Sequence, residues 1–97
     1  MIIFLKQFGS TLTGRQFGKE AFAAFLPSLN IIEKTKKIEV DFDGVNVFTP
    51  SWGDEFLNPL LKKFNNHVIL KNTQNPSVKI TLELLEEIYK VKFNIES

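Results

Sequence analysis

The sequence predicts an α/β fold, in which a largely parallel sheet of about four strands is flanked by three helices. Short β-rich segments alternate with segments of helical periodicity, and strands that are separated by helices favour parallel pairing. The length of 97 residues fits a single domain, which we predict to span 1–97. The hydrophobic content of 43% is sufficient for a core, so a largely disordered chain is excluded.

The first strand and the first helix are predicted near the N-terminus. Residues Met1–Phe8 are apolar and β-rich, which predicts a strand, and Gly9–Thr11 predicts a loop. Thr13 and Gln16 have the spacing of a capping box, which predicts the start of a helix. Pro27 is expected to end or kink that helix. Its buried stripe is predicted at Phe17, Ala21, Ala24 and Phe25.

The centre of the chain predicts a second strand and a second helix. Ile38–Phe42 alternates apolar and acidic residues, which indicates a strand, and Asp43–Gly44 is typical of a turn. A helix is predicted to open within Thr49–Glu55, because proline suits its first turn and acidic residues suit its positive end. Pro59 is expected to kink or split this helix. The predicted buried stripe consists of Phe56, Leu57, Leu60, Leu61 and Phe64.

The last third of the chain predicts one more strand and one more helix. The strand covers His67–Lys71, after a stop at Asn65–Asn66. Asn75 is a predicted helix cap, and Pro76 suits the first position of the helix. The apolar alternation from 91 to 95 is compatible with a short terminal strand. The helix stripe is predicted at Val78, Leu82, Leu85 and either Ile88 or Tyr89.

Composition excludes several classes of function. A net charge of +1 lacks the basic excess that non-specific nucleic-acid binding needs, so we expect no nucleic-acid partner. The chain has no cysteine, which excludes disulfides, cysteine metal sites and a thiol nucleophile. His67 is the single histidine, so two-histidine mechanisms and His-rich metal sites are also excluded. We therefore expect no enzymatic activity, no cofactor and no metal.

Two further segments bear on location and partners. The apolar run Met1–Leu5 is too short for the core of a signal peptide or for a membrane span. We therefore expect a cytoplasmic protein without a membrane partner. The basic connector Asn30–Lys37 contains Lys34–Lys37, which is explained either by a solvated loop or by contact with nucleic acid.

The predicted start of the second helix is the first candidate site. Free backbone N–H groups at a helix start favour an anion, so they would stabilise a phosphate on Ser51. The nearby charges of Asp54 and Glu55 would oppose it. In the alternative interpretation, Thr49 or Ser51 only caps the helix. Trp52 is either a core anchor or an exposed contact for a partner.

Charged side chains form the other candidates. Arg15, the only arginine, would either clamp a phosphate or carboxylate or pair with an acidic side chain. The acidic side chains of the central segment have two interpretations. Paired carboxylates are able to bind a cation or to act as general acid and base. Alternatively, these residues only favour a turn or stabilise the positive end of a helix, without any catalysis. The acidic residues in question are Asp41, Asp43, Asp54 and Glu55.

The order of segments resembles the STAS-like domains of unknown function, small bacterial proteins that are similar to anti-sigma-factor antagonists. In that family a strand that ends near Asp-Phe, a Gly-Val turn and a Ser-x-x-Asp-Glu helix start follow one another. Here Ile38–Val45 and Thr49–Phe56 carry this order. The junction Gly9–Arg15 and the residue Asn72 are also similar to the family pattern, so the resemblance extends from about 3 to 90.

The resemblance implies a non-catalytic signalling module that binds a protein. In the antagonists, a serine at the start of the helix after the central strand is phosphorylated by an anti-sigma kinase of the GHKL ATPase class, and the unmodified form binds that kinase. This position falls at Ser51, with Thr49 where antagonists carry Asp. A GHKL-type ATPase is therefore the implied partner. The implied partner-binding residues are Thr49, Ser51, Trp52, Asp54 and Glu55, and the implied structural or anion-clamping residues are Arg15, Asp41 and Asn72.

Two other functions compete with this interpretation. A small-ligand module would hold a nucleotide or anion with the helix start Thr49–Glu55 and Arg15. A small enzyme would use Asp41, Asp54 or Glu55. A partner surface should expose apolar groups around Trp52, whereas a ligand site should direct Arg15 into a pocket.

Overall fold

The computed structural model describes residues 1–96, and within them the chain forms six strands and three α-helices. The strands are β1 (Ile2–Phe4), β2 (Thr11–Leu12), β3 (Ile38–Asp41), β4 (Val47–Phe48), β5 (Val68–Lys71) and β6 (Asn94–Glu96). The helices are α1 (Arg15–Asn30), α2 (Pro50–Phe64) and α3 (Pro76–Tyr89). None of the helices in this part of the chain has the length and apolar character that crossing a bilayer requires.

The main sheet has four parallel strands in the order β1-β3-β5-β6. Val40 lies in the middle of it, opposite Ile3 on one side and Leu70 on the other. The predicted α/β class, the parallel sheet of four strands and the three helices are confirmed. The terminal strand is also present, and it extends the sheet beside β5.

One face of this sheet packs against the helices. Along β3 the side chains of Ile38 and Val40 are fully buried, whereas Glu39 and Asp41 on the other face are half-buried. The accessible face carries an ion pair of 3.1 Å between Lys71 Nζ and Glu39 Oε1. The buried face and the three helices share one hydrophobic core. The fold is therefore a two-layer arrangement with an open sheet face.

The N-terminal segment differs from its prediction. The strand ends at Phe4, and residues Leu5–Phe8 form a 3₁₀ helix, because β3 offers β1 a partner only as far as Asp41. Of the predicted loop Gly9–Thr11, Thr11 instead begins β2, which pairs in parallel with β4 to form a second, two-stranded sheet.

The predicted capping box is wrong. Helix α1 begins at Arg15, and its cap is Gly14, whose φ of +86° is a conformation that glycine adopts easily. No side chain caps this helix. The amide of Gln16 donates instead to Glu20 Oε2, one turn further along the helix, at 2.8 Å.

Both internal prolines lie within continuous helices. Pro27 does not end α1 and Pro59 does not split α2, so for both helices the kink stays a prediction. Leu29 follows Pro27 and is fully buried, and Leu60 and Phe64 are fully buried after Pro59. Burial of such side chains is favourable by about 1.5–3 kcal/mol each, which offsets the hydrogen bond that each proline removes.

The buried stripe of α1 differs from its prediction, whereas the stripe of α3 agrees with one of its two predicted alternatives. On α1, Phe17 is 67% exposed and Ala24 is exposed, while Gly18 lies on the buried face instead. On α3, Ile88 is 59% exposed, so Tyr89 is the residue that packs against the core. Helical spacing identifies residues that share a face, whereas neighbouring elements decide which face is covered.

Candidate functional site

The start of α2 is held in place by β2. Thr49 precedes the helix, and both its hydroxyl and its N–H donate to the carbonyl oxygen of Leu12, at 3.0 and 3.1 Å. The hydroxyl therefore joins two elements and does not cap α2, which has no side-chain cap. Pro50 occupies the first helical turn, as predicted. The first-turn N–H groups are consequently left without a capping oxygen.

Ser51 differs from the serine that has the same place in α3. Both helices begin with Pro-Ser, but at α3 the Asn75 side chain accepts from the N–H of Ser77 at 2.8 Å. The Ser77 hydroxyl also accepts from the N–H of Phe48 at 3.0 Å. Ser51 is half-buried, and within residues 1–96 its hydroxyl forms no hydrogen bond. Within the described residues, the hydroxyl at the start of α2 is therefore not engaged by another group of the protein.

Trp52 is a core residue and not an exposed contact. Its side chain is only 2% exposed, and its ring stacks on Phe56 with a centroid distance of 5.2 Å and an interplanar angle of 15°. The rings of Phe8 and Phe48 lie at 6.0 and 6.1 Å. The prediction that a partner contacts Trp52 directly is therefore wrong. Trp52 and Phe56 are four residues apart, so both point from α2 into the core.

The exposed aromatic group at this site is Phe17. A Cβ on the neighbouring Gly18 would lie 2.5 Å from the carbonyl oxygen of Trp52, so the absence of a side chain lets α1 approach the first turn of α2 closely. Phe17 and Trp52 line the same shallow concavity, together with Thr11 and Thr13. The sequence interpretation missed Phe17 because it placed this residue in the buried stripe. The residue that could have indicated the outward orientation of Phe17 is the neighbouring Gly18, because a glycine within a helix often marks the face that packs closely against another element.

Arg15 joins α1 to the acidic residues of α2. Its Nη1 lies 2.8 Å from Asp54 Oδ2 and 3.8 Å from Glu55 Oε2, which confirms the predicted pairing with an acidic side chain. Both acids lie beyond the first turn of α2, so the expectation that they occupy the first turn is wrong. The Tyr89 hydroxyl donates to the other oxygen of Asp54. These contacts orient the guanidinium toward carboxylates. An anion that bound to Arg15 would have to compete with Asp54 and Glu55 for it.

The same contacts shift the pKa values of the groups. The hydrogen bonds from Tyr89 and then from Arg15 lower the pKa of Asp54. The hydrogen bond to Asp54 raises the pKa of Arg15. Burial, followed by the hydrogen bond to Asp54, raises the pKa of Tyr89. Asp54 is therefore ionised and Tyr89 is a neutral donor at physiological pH.

Asp41 belongs to a different group of contacts. Its Oδ1 accepts from the N–H of Asp43 at 2.9 Å and from Nδ2 of Asn72 at 2.8 Å. Within residues 1–96 it forms no ion pair with Arg15, which pairs with Asp54 and Glu55 instead. Asn72 has a φ of +56°, which asparagine tolerates well, and its amide joins the carboxyl ends of β3 and β5. In residues 1–96 no three acidic or histidine side chains are arranged to hold a metal ion.

Comparison with known protein families gives one match. The model of a family described as a STAS-like domain of unknown function (DUF4325) matches residues 18–78, which is more than half of the chain. The matched segment includes Ser51, Asp54, Asp41 and Asn72, and it begins three residues after Arg15. No curated protein and no solved structure gives a significant match.

Proposed function

The chain belongs to the family of STAS-like domains of unknown function, and from this premise we propose that it is a non-catalytic regulatory module that binds a protein partner. The proposed contact region surrounds the start of α2 and is called the partner surface below. It consists of Arg15, Phe17, Thr49, Ser51, Asp54 and Glu55.

The exposure of Phe17 is the observation that carries this proposal. A phenylalanine that is 67% exposed on an ordered helix presents apolar area to solvent, and it lines a concavity that also contains the polar side chains of Thr11 and Thr13. Buried aromatic anchors within a polar rim are the usual energetic centres of protein interfaces. Trp52 supports this surface from the core, since its backbone contacts Gly18.

We further propose a GHKL-type ATPase as the partner and phosphorylation of Ser51 as the switch. The similarity of the family to anti-sigma-factor antagonists supports this partner class, and the unbonded Ser51 hydroxyl supports the switch. A phosphate would add about −1.5 to −2 charges beside the uncapped first turn, which favours an anion. Arg15 offsets part of the opposing charge of Asp54 and Glu55. The phosphate would compete with these carboxylates for the guanidinium and so change the partner surface.

The switch is tested with variants of Ser51. The GHKL-type ATPase encoded nearest to this chain is titrated by calorimetry with the unmodified protein, with Ser51→Ala and with Ser51→Asp. We expect Ser51→Ala to bind within about twofold of the parent and Ser51→Asp to bind at least about tenfold more weakly. Ser28→Asp, an exposed position near the far end of α1, is the matched control and should not change the affinity. Equal affinities for the alanine and aspartate variants would show that Ser51 does not switch binding.

The location of the partner surface has a separate test. Phe17→Ala should weaken the same complex at least about tenfold, because it removes the exposed aromatic anchor. Ile31→Ala is its control, since Ile31 is 83% exposed just beyond the other end of α1. If Phe17→Ala binds as well as Ile31→Ala, the partner surface is not centred on the start of α2.

A further inference from the structure

A concave surface separate from the partner surface lies between the C-terminal half of α2 and the segment that follows α3. We call it the α2–α3 cleft. Its volume is about 530 Å³. Leu61 and Val68 form apolar lining on the side of α2 and β5, and Tyr89, Val91 and Phe93 form the facing side. The size lies in the range of about 300–1,000 Å³ that is typical of small-molecule sites.

The walls of the α2–α3 cleft are fixed by hydrogen bonds. The amide of Asn94 donates to the carbonyl oxygen of Asn66 at 2.8 Å, which ties the two sides together at one end. The N–H of Phe93 donates to Glu86 Oε2 at 2.8 Å and holds the facing wall against α3. Lys90 ends α3 in a left-handed conformation, which turns the chain toward the cleft. Because of these contacts, the cleft already has its shape before any ligand binds.

The two charged side chains that line the cleft are cationic, and the carboxylates of Glu86 and Asp54 lie near them without lining it. Lys62 and Lys92 are the charged residues of its lining, and no carboxylate lines it. Within residues 1–96, Lys62 has no ion-pair partner, and Lys92 Nζ is 4.0 Å from Glu86. The rim also holds four side-chain amides that are able to donate and accept hydrogen bonds, those of Asn58, Asn65, Asn66 and Asn94.

We propose that the α2–α3 cleft binds a small organic carboxylate with a flat apolar body. The body fits against Leu61 and Phe93, where it replaces water on apolar side chains. The carboxylate is placed toward Lys62 and the neighbouring amides, because Lys62 forms no ion pair within residues 1–96, whereas Lys92 lies 4.0 Å from Glu86. The cleft shares no lining residue with the partner surface, although Tyr89 connects the two, because its hydroxyl donates to Asp54.

Nuclear magnetic resonance of the ¹⁵N-labelled chain, with indole-3-acetate as the probe, tests this proposal. The side-chain amide signals of the four cleft asparagines should shift and saturate together. The other four asparagines, Asn30, Asn46, Asn72 and Asn75, are internal controls whose signals should stay in place. Indole-3-acetamide, which lacks the charge, should bind about fivefold more weakly, and acetate, which lacks the apolar body, should not saturate.

A pair of lysine variants tests the role of charge. Lys62→Gln should weaken indole-3-acetate about fivefold and leave indole-3-acetamide nearly unchanged. Lys63→Gln is the matched control, because Lys63 is the next residue of α2 and does not line the cleft. Absence of saturable shifts at the cleft amides would overturn the proposal. Equal binding of acetate and indole-3-acetate, equal binding of the acetamide, or an equal loss in both lysine variants would also overturn it.

Discussion

At the scale of single residues, Asp54 connects all three helices. It lies on α2 and accepts hydrogen bonds from Arg15 of α1 and from Tyr89 of α3. A carboxyl whose pKa is lowered by folding stabilises the fold above its ordinary value of 3.8, and this contribution is lost as the pH falls through the lowered pKa. The raised pKa of Tyr89 has the opposite effect on how stability depends on pH. Its contribution is present below the ordinary value of 10.0 and is lost as the pH rises through the raised pKa.

The variant Tyr89→Phe measures the hydrogen bond to Asp54. We expect it to lower the free energy of unfolding at pH 7 by about 1 kcal/mol, a modest value because the Asp54 side chain is 31% exposed. The loss should become smaller as the pH falls below 3.8, where Asp54 becomes protonated first in the unfolded chain. Urea unfolding at pH 7 and pH 3, followed by Trp52 fluorescence, measures both values. Glu87→Gln, at an exposed position of α3, is the control. If Tyr89→Phe lost the same free energy of unfolding at pH 3 as at pH 7, the loss would not come from the hydrogen bond to Asp54.

At the scale of the elements, small residues decide how closely the helices pack. A Cβ on Gly18 would lie 2.5 Å from the carbonyl oxygen and 2.9 Å from the Cα of Trp52. Both are backbone atoms, so rotation of a side chain could not relieve the clash. On Gly53, a Cβ would lie 2.8 Å from Cζ of Phe48 and 3.1 Å from Cδ1 of Leu85. These two glycines therefore set the distances of α2 from α1, β4 and α3.

The variant Gly18→Ala should separate α1 from α2. We expect it to reduce the free energy of unfolding by at least about 2 kcal/mol, although alanine by itself favours a helix. Chemical denaturation with Trp52 fluorescence measures the loss, and Lys19→Ala, at the next and exposed position, should change stability little. Gly18→Ala with the stability of the parent would mean that the contact with the Trp52 backbone does not limit the approach of the helices.

At the scale of the whole molecule, one core connects the layers. Buried residues from β1, β3, β5 and the three helices belong to a single cluster, with Trp52 among the largest buried side chains. A core that is shared in this way favours cooperative unfolding, because no element keeps its burial when another is lost. That the chain forms a single domain over 1–97 stays a prediction.

Unfolding followed by two probes tests cooperativity. The midpoint in urea should be the same when it is measured by Trp52 fluorescence, which reports the core near the partner surface, and by far-ultraviolet circular dichroism, which reports all helices. The buried Phe64→Ala variant should shift both midpoints equally, because cavity formation in a shared core destabilises every element. Separate midpoints would indicate two independently folding units.

The sequence by itself determined the order of the main strands and helices, the parallel α/β class and the place of Ser51 at a helix start. Each of these depends on local signals, namely apolar periodicity, turn residues and Pro50 before Ser51. The pairing of Arg15 with an acidic side chain was also predictable, because α1 carries the only arginine and α2 carries Asp54 and Glu55 side by side.

Only the tertiary structure decided which faces are covered and which side chains form the candidate site. The two-residue strands β2 and β4 are too short to show a period, so their pairing arises from contacts between distant segments. Gly18 is the residue of α1 that meets the Trp52 backbone. With this face of α1 turned toward α2, Phe17 lies in solvent and Trp52 is buried. Periodicity relates residues within one helix, whereas the direction of a helix face depends on the neighbour that it meets, and that neighbour is not encoded locally.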